Sequence, residues 1–211
     1  MTYPDDTAGY IDALLARVTG RAMLGIVGPP ASGKSTLAAA VVAATNERLG
    51  AGTAALLPMD GFHLANQVLL ALGRRDRKGS PDTFDVGGFM ALLDRVRTEQ
   101  AHPVYAPEFR REIEEPIANA LRIEPSTRLV VVEGNWLLFG SRGWQHVRDR
   151  LDETWYVEVL GSVREARLLE RHRPTYGDDA AAWVAEVDGP NGALVESTRG
   201  SADRIIVGDA P

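Results

Sequence analysis

Three features of this sequence predict a three-layer α/β fold, a mostly parallel five-stranded sheet with helices on both faces. Five short apolar runs recur along the chain, at 22–27, 53–59, 129–132, 154–160 and 204–207. Segments with apolar residues at helical spacing lie between them, the alternation that yields parallel strands joined by helical crossovers. The first run stops at a glycine-rich loop that leads straight into a helical pattern. With 211 residues, 45% of them hydrophobic and 25% charged, the chain is long enough to bury a two-sided sheet and is expected to form a single domain over 1–211.

The glycine loop carries the sharpest signal. Gly28, Gly33, Lys34 and Ser35 fit the pattern G-x-x-x-x-G-K-[ST] without a mismatch. Ala22 to Val27 supplies the strand before it, and Lys34 to Leu49, with Leu37, Val41 and Ala44 at helical spacing, supplies the helix after it. Glycines without a Cβ let backbone amides close on a polyphosphate, and the helix start adds unpaired amides and partial positive charge. The pattern therefore predicts a P-loop NTPase fold that binds a nucleoside triphosphate through Gly28, Ala31, Ser32, Gly33, Lys34, Ser35 and Thr36. Lys34 reaches the β- and γ-phosphates in this pattern, and the Ser35 hydroxyl takes a place on Mg²⁺.

The other elements follow in order. An amphipathic helix is expected over 5–19, with Ile11, Leu14, Leu15 and Val18 on one face. After the second strand and Asp60-Gly61-Phe62-His63 comes a helical pattern at Leu64, Val68, Leu69 and Leu72, then the basic segment 73–79. Phe89, Leu92, Leu93 and Val96 mark another helix, and the Pro- and charge-rich 102–117 reads as irregular structure or a short hairpin. Trp144, Val147 and Leu151 suggest a helix. An arginine-rich helix from about Ser162 to His172 is expected to form a lid over about 162–178, with Pro174 and Gly177 as a hinge or turn. Helices are also expected at 178–187 and 191–198, with a turn at Gly189-Pro190 between Asp188 and Asn191.

Ligands of open α/β sheets collect at the carboxyl ends of strands, where this sequence places the loop, Asp60 and Glu133. Two acids beside a triphosphate suggest two tasks, one holding the metal and the other accepting a proton from an attacking hydroxyl. Glu133 is assigned the metal and Asp60 the general base, although the residue pattern alone also permits the reverse. Arg164, Arg167 and Arg171 share a helix face, either solvated beside Glu165 and Glu170 or closing over the transferred group; Arg167 and Arg171 are taken as catalytic candidates. Phe62, His63, Tyr105, Arg110 and Arg111 are candidate acceptor contacts. Arg74, Arg75, Arg77 and Lys78 form a solvated loop, an anion patch or a nucleic-acid contact.

A net charge of −6 argues against a general nucleic-acid binder, and the absence of cysteine excludes disulfides and thiolate metal sites. No apolar run approaches the length of a membrane span, and Met-Thr-Tyr-Pro-Asp-Asp lacks the features of a secretion signal, so a cytoplasmic location is expected.

Together these motifs resemble the phosphoribulokinase/uridine kinase/pantothenate kinase family of P-loop kinases, closest to its bacterial nucleoside/nucleotide kinase-like and fructose-transport-system kinase branch. Gly28–Thr36 resembles its phosphate loop, Met59–His63 its Asp-containing substrate motif, and Arg77–Asp85 its Lys-Gly-x-Pro-Glu-[ST]-[YF]-Asp stretch. Val131–Asn135 resembles its Glu-Gly strand end, and Arg164–Arg173 its arginine-bearing lid. The resemblance implies ATP-dependent phosphorylation of a hydroxyl on a small molecule (a nucleoside, a sugar or a pantothenate-like alcohol), with Asp60 as base and Mg²⁺ at Ser35 and Glu133. It departs at Phe109-Arg110-Arg111, where the branch has Phe-Asp-Arg; the reversed charge favours an anionic acceptor. A nucleotide-dependent regulatory ATPase is the competing expectation.

Overall fold

The computed structural model describes residues 6–208. At its centre is β1 (Ala22–Val27), buried along its whole length. β5 (Leu129–Gly134) and β6 (Glu153–Glu158) pair with it in parallel on either side. β2 (Ala54–Pro58) and β7 (Arg204–Val207) complete a parallel sheet of order β2-β5-β1-β6-β7. All five predicted strands are present, and each is short and apolar because both sheet faces are covered.

Alternation along β1 divides the core. Ala22, Leu24 and Ile26 pack with Ile11 and Leu14 of α1 (Thr7–Arg17) and with Leu37 and Val41 of α2 (Lys34–Leu49). Met23 and Val27 face the other way, onto Phe89, Leu93 and Val96 of α4 (Val86–Thr98) and onto Trp136 and Trp144. α3 (Asn66–Ala71) is shorter than its sequence pattern. The expected start of α1 at Asp5 lies outside the described residues.

Three expectations need correction. The 102–117 stretch forms an antiparallel hairpin, β3 (Val104–Arg110) and β4 (Glu115–Ile123), which runs further than predicted and stands apart from the main sheet. Trp144 to Leu151 is not an α-helix but two 3₁₀ turns, Trp144–His146 and Arg148–Arg150, which suffice to bury Trp144 and Val147. Gly189-Pro190 makes no turn. α5 (Gly161–Tyr176) passes through Pro174 and ends at Gly177. A short 3₁₀ turn, α6 (Ala180–Trp183), a π-helical turn at Val184–Asp188 and α7 (Gly189–Glu196) then follow without a break. Pro190 sits in the first turn of α7, where a missing amide hydrogen is tolerated, and the wider π turn precedes it.

Candidate active site

Register explains why the loop, Asp60 and Glu133 meet. Val27 lies opposite Gly134 and Pro58 opposite Glu133, so β1, β2 and β5 end at one level. The chain leaves β1 through a loop in which Ala31 has φ 62° and Gly33 φ 88°, then enters α2 at Lys34. It leaves β2 through a 3₁₀ turn, Met59–Phe62, that presents Asp60. A cavity of about 270 Å³ opens at this edge, and Ala31, Gly33, Lys34, Ser35, Thr36, Asp60, His63, Arg111 and Arg171 are among its lining residues. The predicted lysine and carboxylate therefore share one space.

Charge in this space is tightly balanced. Burial raises the Asp60 carboxyl, but His63, Lys34, Arg111 and Arg171 around it together hold it below the usual carboxylate range. Arg111 places its Nη2 3.6 Å from Asp60 Oδ2. His63 is pushed down by burial, opposed by the Asp60 charge. Its Nδ1 lies 2.8 Å from the Asp60 carbonyl oxygen. Burial likewise lowers Lys34, opposed by Glu133 and Asp60, and raises Glu133, opposed by Lys34.

The fit to a nucleotide with a divalent cation can be read from the donors present. Among the described residues no group of three or more His, Cys, Asp or Glu side chains could cage a metal. Ser35 is exposed, and its hydroxyl contacts the buried Glu133 carboxylate, one hydroxyl and one acid beside the loop. Magnesium suits such a sparse site, because it keeps waters and takes phosphate oxygens as its remaining ligands.

The remaining expected contacts divide into those that line the cavity and those that do not. Gly28 and Ser32 are buried inside the loop: the Ser32 amide donates to the Pro29 carbonyl at 3.1 Å, and a Cβ on Gly28 would come within 2.5 Å of Ser32 Oγ. Neither is among the lining residues of the cavity. Arg167 does not line the cavity; its Nη1 donates to the Ala31 carbonyl at 3.4 Å. Phe62 turns toward the core, edge-on to Phe89 with ring centres 5.0 Å apart. Tyr105 is an exposed β3 residue, and Arg110 pairs with Glu108 at 2.8 Å on the hairpin surface, so neither lines the cavity.

Residues from three other places complete the walls. Phe84 and Phe109 flank the His63 ring at 4.0 and 4.7 Å. From the helical segment come His172, whose Nε2 lies 2.8 Å from Asp188 Oδ2, and the stacked pair Tyr176 and Trp183, 4.7 Å apart. Arg75, Lys78, Asn135 and Asn191 also line it. Asp188 and Asn191 looked like turn residues in the sequence; they reach the cavity because the helix continues through them. Arg75 and Lys78 lie in the basic segment, and Phe84, Phe109, Asn135, His172 and Tyr176 lie in stretches the family resemblance or the expected lid had marked, whereas Trp183 carried no such signal.

A glycine loop between β1 and α2, together with acids at the ends of the two strands on one side of β1, defines a P-loop kinase. No protein-family model matches the chain. The structure is similar to that of a "putative fructose transport system kinase" from Silicibacter sp. TM1040, with TM-score 0.87 and 35% identity over 97% of this chain and 98% of that one. In sequence it is similar to "Putative uridine kinase C227.14" of Schizosaccharomyces pombe, 34% identical over 156 residues, 72% of this chain and 66% of that protein. It is also similar to a pantothenate kinase of Latilactobacillus sakei, 30% identical over 150 residues, 71% of this chain and 48% of that protein, so the match spans two thirds of the first and about half of the second. The chain belongs to the phosphoribulokinase/uridine kinase/pantothenate kinase family of P-loop kinases. It is a phosphotransferase of that family. No helix among the described residues is long and apolar enough to cross a membrane.

Proposed function

We propose that the protein transfers the γ-phosphoryl group of ATP to a hydroxyl of a small metabolite held in the cavity between Asp60 and the helical segment. The observation that carries this reading is the shared space: Lys34 and Asp60 line one cavity with room beyond the phosphate loop. The acceptor oxygen bonds to the γ-phosphorus, the bond to the β–γ bridging oxygen breaks, the hydroxyl proton passes to Asp60, and ADP leaves. An ionised Asp60 orients the hydroxyl, which suffices because a loose phosphoryl-transfer transition state demands positioning and charge more than proton pull. Lys34 binds the β- and γ-phosphates, and Arg171 meets charge that develops on the transferred group. Ser35 and Glu133 are the residues that would hold Mg²⁺, which when bound neutralises charge on the β- and γ-phosphates. The amides around Gly33 cradle the polyphosphate, and Arg167 braces the loop at Ala31.

The test is ADP release by purified protein with Mg·ATP against sugars, nucleosides and vitamin alcohols, repeated with Asp60→Asn. One acceptor class should stimulate release in the wild type. The variant should keep ATP binding and lose turnover by about 10²–10⁴-fold. Turnover near wild type in Asp60→Asn would remove Asp60 from the reaction.

A further inference from the structure

A second cavity, of about 310 Å³, lies at the other end of the sheet. Ala22 pairs with Leu129, so Arg21 and Arg128, which lead into β1 and β5 and line this cavity, sit side by side at the amino ends of those strands. The phosphate loop leaves the six-residue β1 at its carboxyl end, about 20 Å away at the usual rise of an extended strand. No lining residue is shared with the cavity that holds Asp60. The charge here is one-sided. The chain has 29 acids against 23 Lys and Arg, yet two arginines and no acid line this space.

Arg21 forms the floor. It is only 3% exposed, and its guanidinium donates to the carbonyls of Thr127, Val96, Glu99, Glu124 and Pro125. Those carbonyls use its five N–H donors but cancel none of its charge. Glu99, whose field opposes the lowering of Arg21 by burial, has its own carboxylate on the Ala101 and His102 amides at 2.8 and 3.0 Å. The rim carries the free donors. The side chains of Gln100, Ser126 and Arg128 are exposed and have neither a hydrogen bond nor an ion pair. Gln100 Nε2 lies over Gly20, where a Cβ would come within 3.4 Å of it.

We infer that this cavity binds a phosphate group, as inorganic phosphate or as the phosphate of a small ester, at a site separate from the phosphate loop. Arg128 presents a guanidinium fork to two oxygens, and Ser126 and Gln100 add a hydroxyl and a carboxamide donor. Arg21 supplies fixed positive charge from beneath, so the site offers two charges to a dianion. With no carboxylate on the lining, an entering anion meets no like charge. A buried cation without a counter-ion is costly, and an anion above Arg21 offsets part of that cost. Occupancy should therefore stabilise the fold, as any ligand of the native state does.

The test is titration calorimetry on protein loaded with Mg²⁺ and a non-hydrolysable ATP analogue, so that the phosphate loop is already filled. Inorganic phosphate and glycerol phosphate are the probes at constant ionic strength, with glycerol as the uncharged control. Phosphate should bind without displacing the analogue and should raise Tm, and glycerol should do neither. Arg128→Gln should weaken phosphate binding by about 10–100-fold, the loss of a charge-assisted hydrogen-bonded contact. Arg128→Lys should restore part of that loss, and Ser126→Ala should cost less. The Arg128 side chain supports no internal contact, so without phosphate Arg128→Gln should melt with the wild type and bind the analogue as tightly. Tighter binding of glycerol phosphate would identify an ester as the ligand, tighter binding of inorganic phosphate the free ion, and either supports the site. Three results would each overturn the inference: no phosphate binding to the loaded protein, equal binding of glycerol, or binding that Arg128→Gln leaves unchanged, which would put the ion in the cavity beside Asp60.

Discussion

Gly61→Ala tests how Asp60 is held. Gly61 is buried in the turn after β2, and a Cβ there would lie 2.3 Å from the Pro107 carbonyl oxygen and 2.7 Å from its carbon. Both are backbone atoms of β3, so no side chain can swing away. The turn cannot simply lift off either: His63 donates its amide to Asp60, Leu64 to Thr83, and Phe62 accepts from Asp85 at 2.9 Å. Restoring ordinary contact requires roughly 0.7–1 Å of backbone movement, and forced overpacking of this kind costs about 1–3 kcal/mol. For a chain of this size each kcal/mol lowers Tm by about 2–4 °C, so a fall of about 2–12 °C is expected. The displaced carboxylate should also lower acceptor-dependent kcat by about 10²-fold, the usual cost of a 1 Å misplacement. ATP affinity, set by the loop after β1, should change little. Scanning calorimetry needs no knowledge of the acceptor, and Gly140→Ala, whose Cβ would meet nothing within 4 Å, is the control. A Gly61→Ala protein melting together with that control would refute the reasoning.

Other outcomes follow from the same geometry. Arg171→Gln should lower kcat by about 10²–10³-fold, as for a lost transition-state donor. Arg167→Gln, which loses only a 3.4 Å contact to the Ala31 carbonyl, should act mainly on ATP affinity; the reverse ranking in steady-state kinetics would exchange the two roles. Burial raises Glu133 above 4.5, so its contribution to folding is complete below that value and is lost as pH rises through the folded one. The Tm of Glu133→Gln relative to wild type should therefore climb from 4.5 toward neutral pH, while Mg²⁺-dependent nucleotide binding weakens; a pH-independent difference would contradict the burial argument. Arg21 donates to the carbonyls of Thr127, Val96, Glu99, Glu124 and Pro125. Arg21→Met should strand several of them and destabilise by about 2–4 kcal/mol in urea unfolding.

The strands and the phosphate loop were legible because their signals are local. A run such as Leu129–Val132 is buried on both faces and needs no tertiary information to be recognised. Asp60 and Glu133 were legible for a related reason: a parallel sheet brings strand ends together whatever its exact order. The hairpin was half visible, since β4 is mostly solvent-exposed and shows no continuous apolar run. Asp188 and Asn191 misled because Gly-Pro is ordinarily a turn, and only the π turn before it lets the helix continue. Arg75 was indistinguishable from Arg74 and Arg77 in sequence. What separates them is the partner each finds, which is decided by where Asp82 sits.

The Lys78–Phe84 stretch works by anchoring as much as by contact. Trp136 donates its indole N–H to the Gly79 carbonyl at 3.1 Å, and Trp144 donates to the Pro81 carbonyl at 3.0 Å, so two fully buried core residues fix the backbone of the cavity wall. Both indoles would otherwise be buried donors without partners, so packing and positioning are one requirement there. Lys78 ties the same stretch to the far side. Through Asn66 and the Glu114 carbonyl it clasps the turn of the hairpin, while the Glu115 carboxylate accepts the Asn66 amide at 3.0 Å. That turn carries Arg111, the cation facing Asp60. Arg111's share in depressing the Asp60 carboxyl, alongside those of His63, Lys34 and Arg171, thus depends on a chain of contacts from the tryptophans to the hairpin, most of them outside the reacting space. A substitution that loosens Lys78 should therefore reach the base through Arg111, without touching either the nucleotide loop or the carboxylate itself.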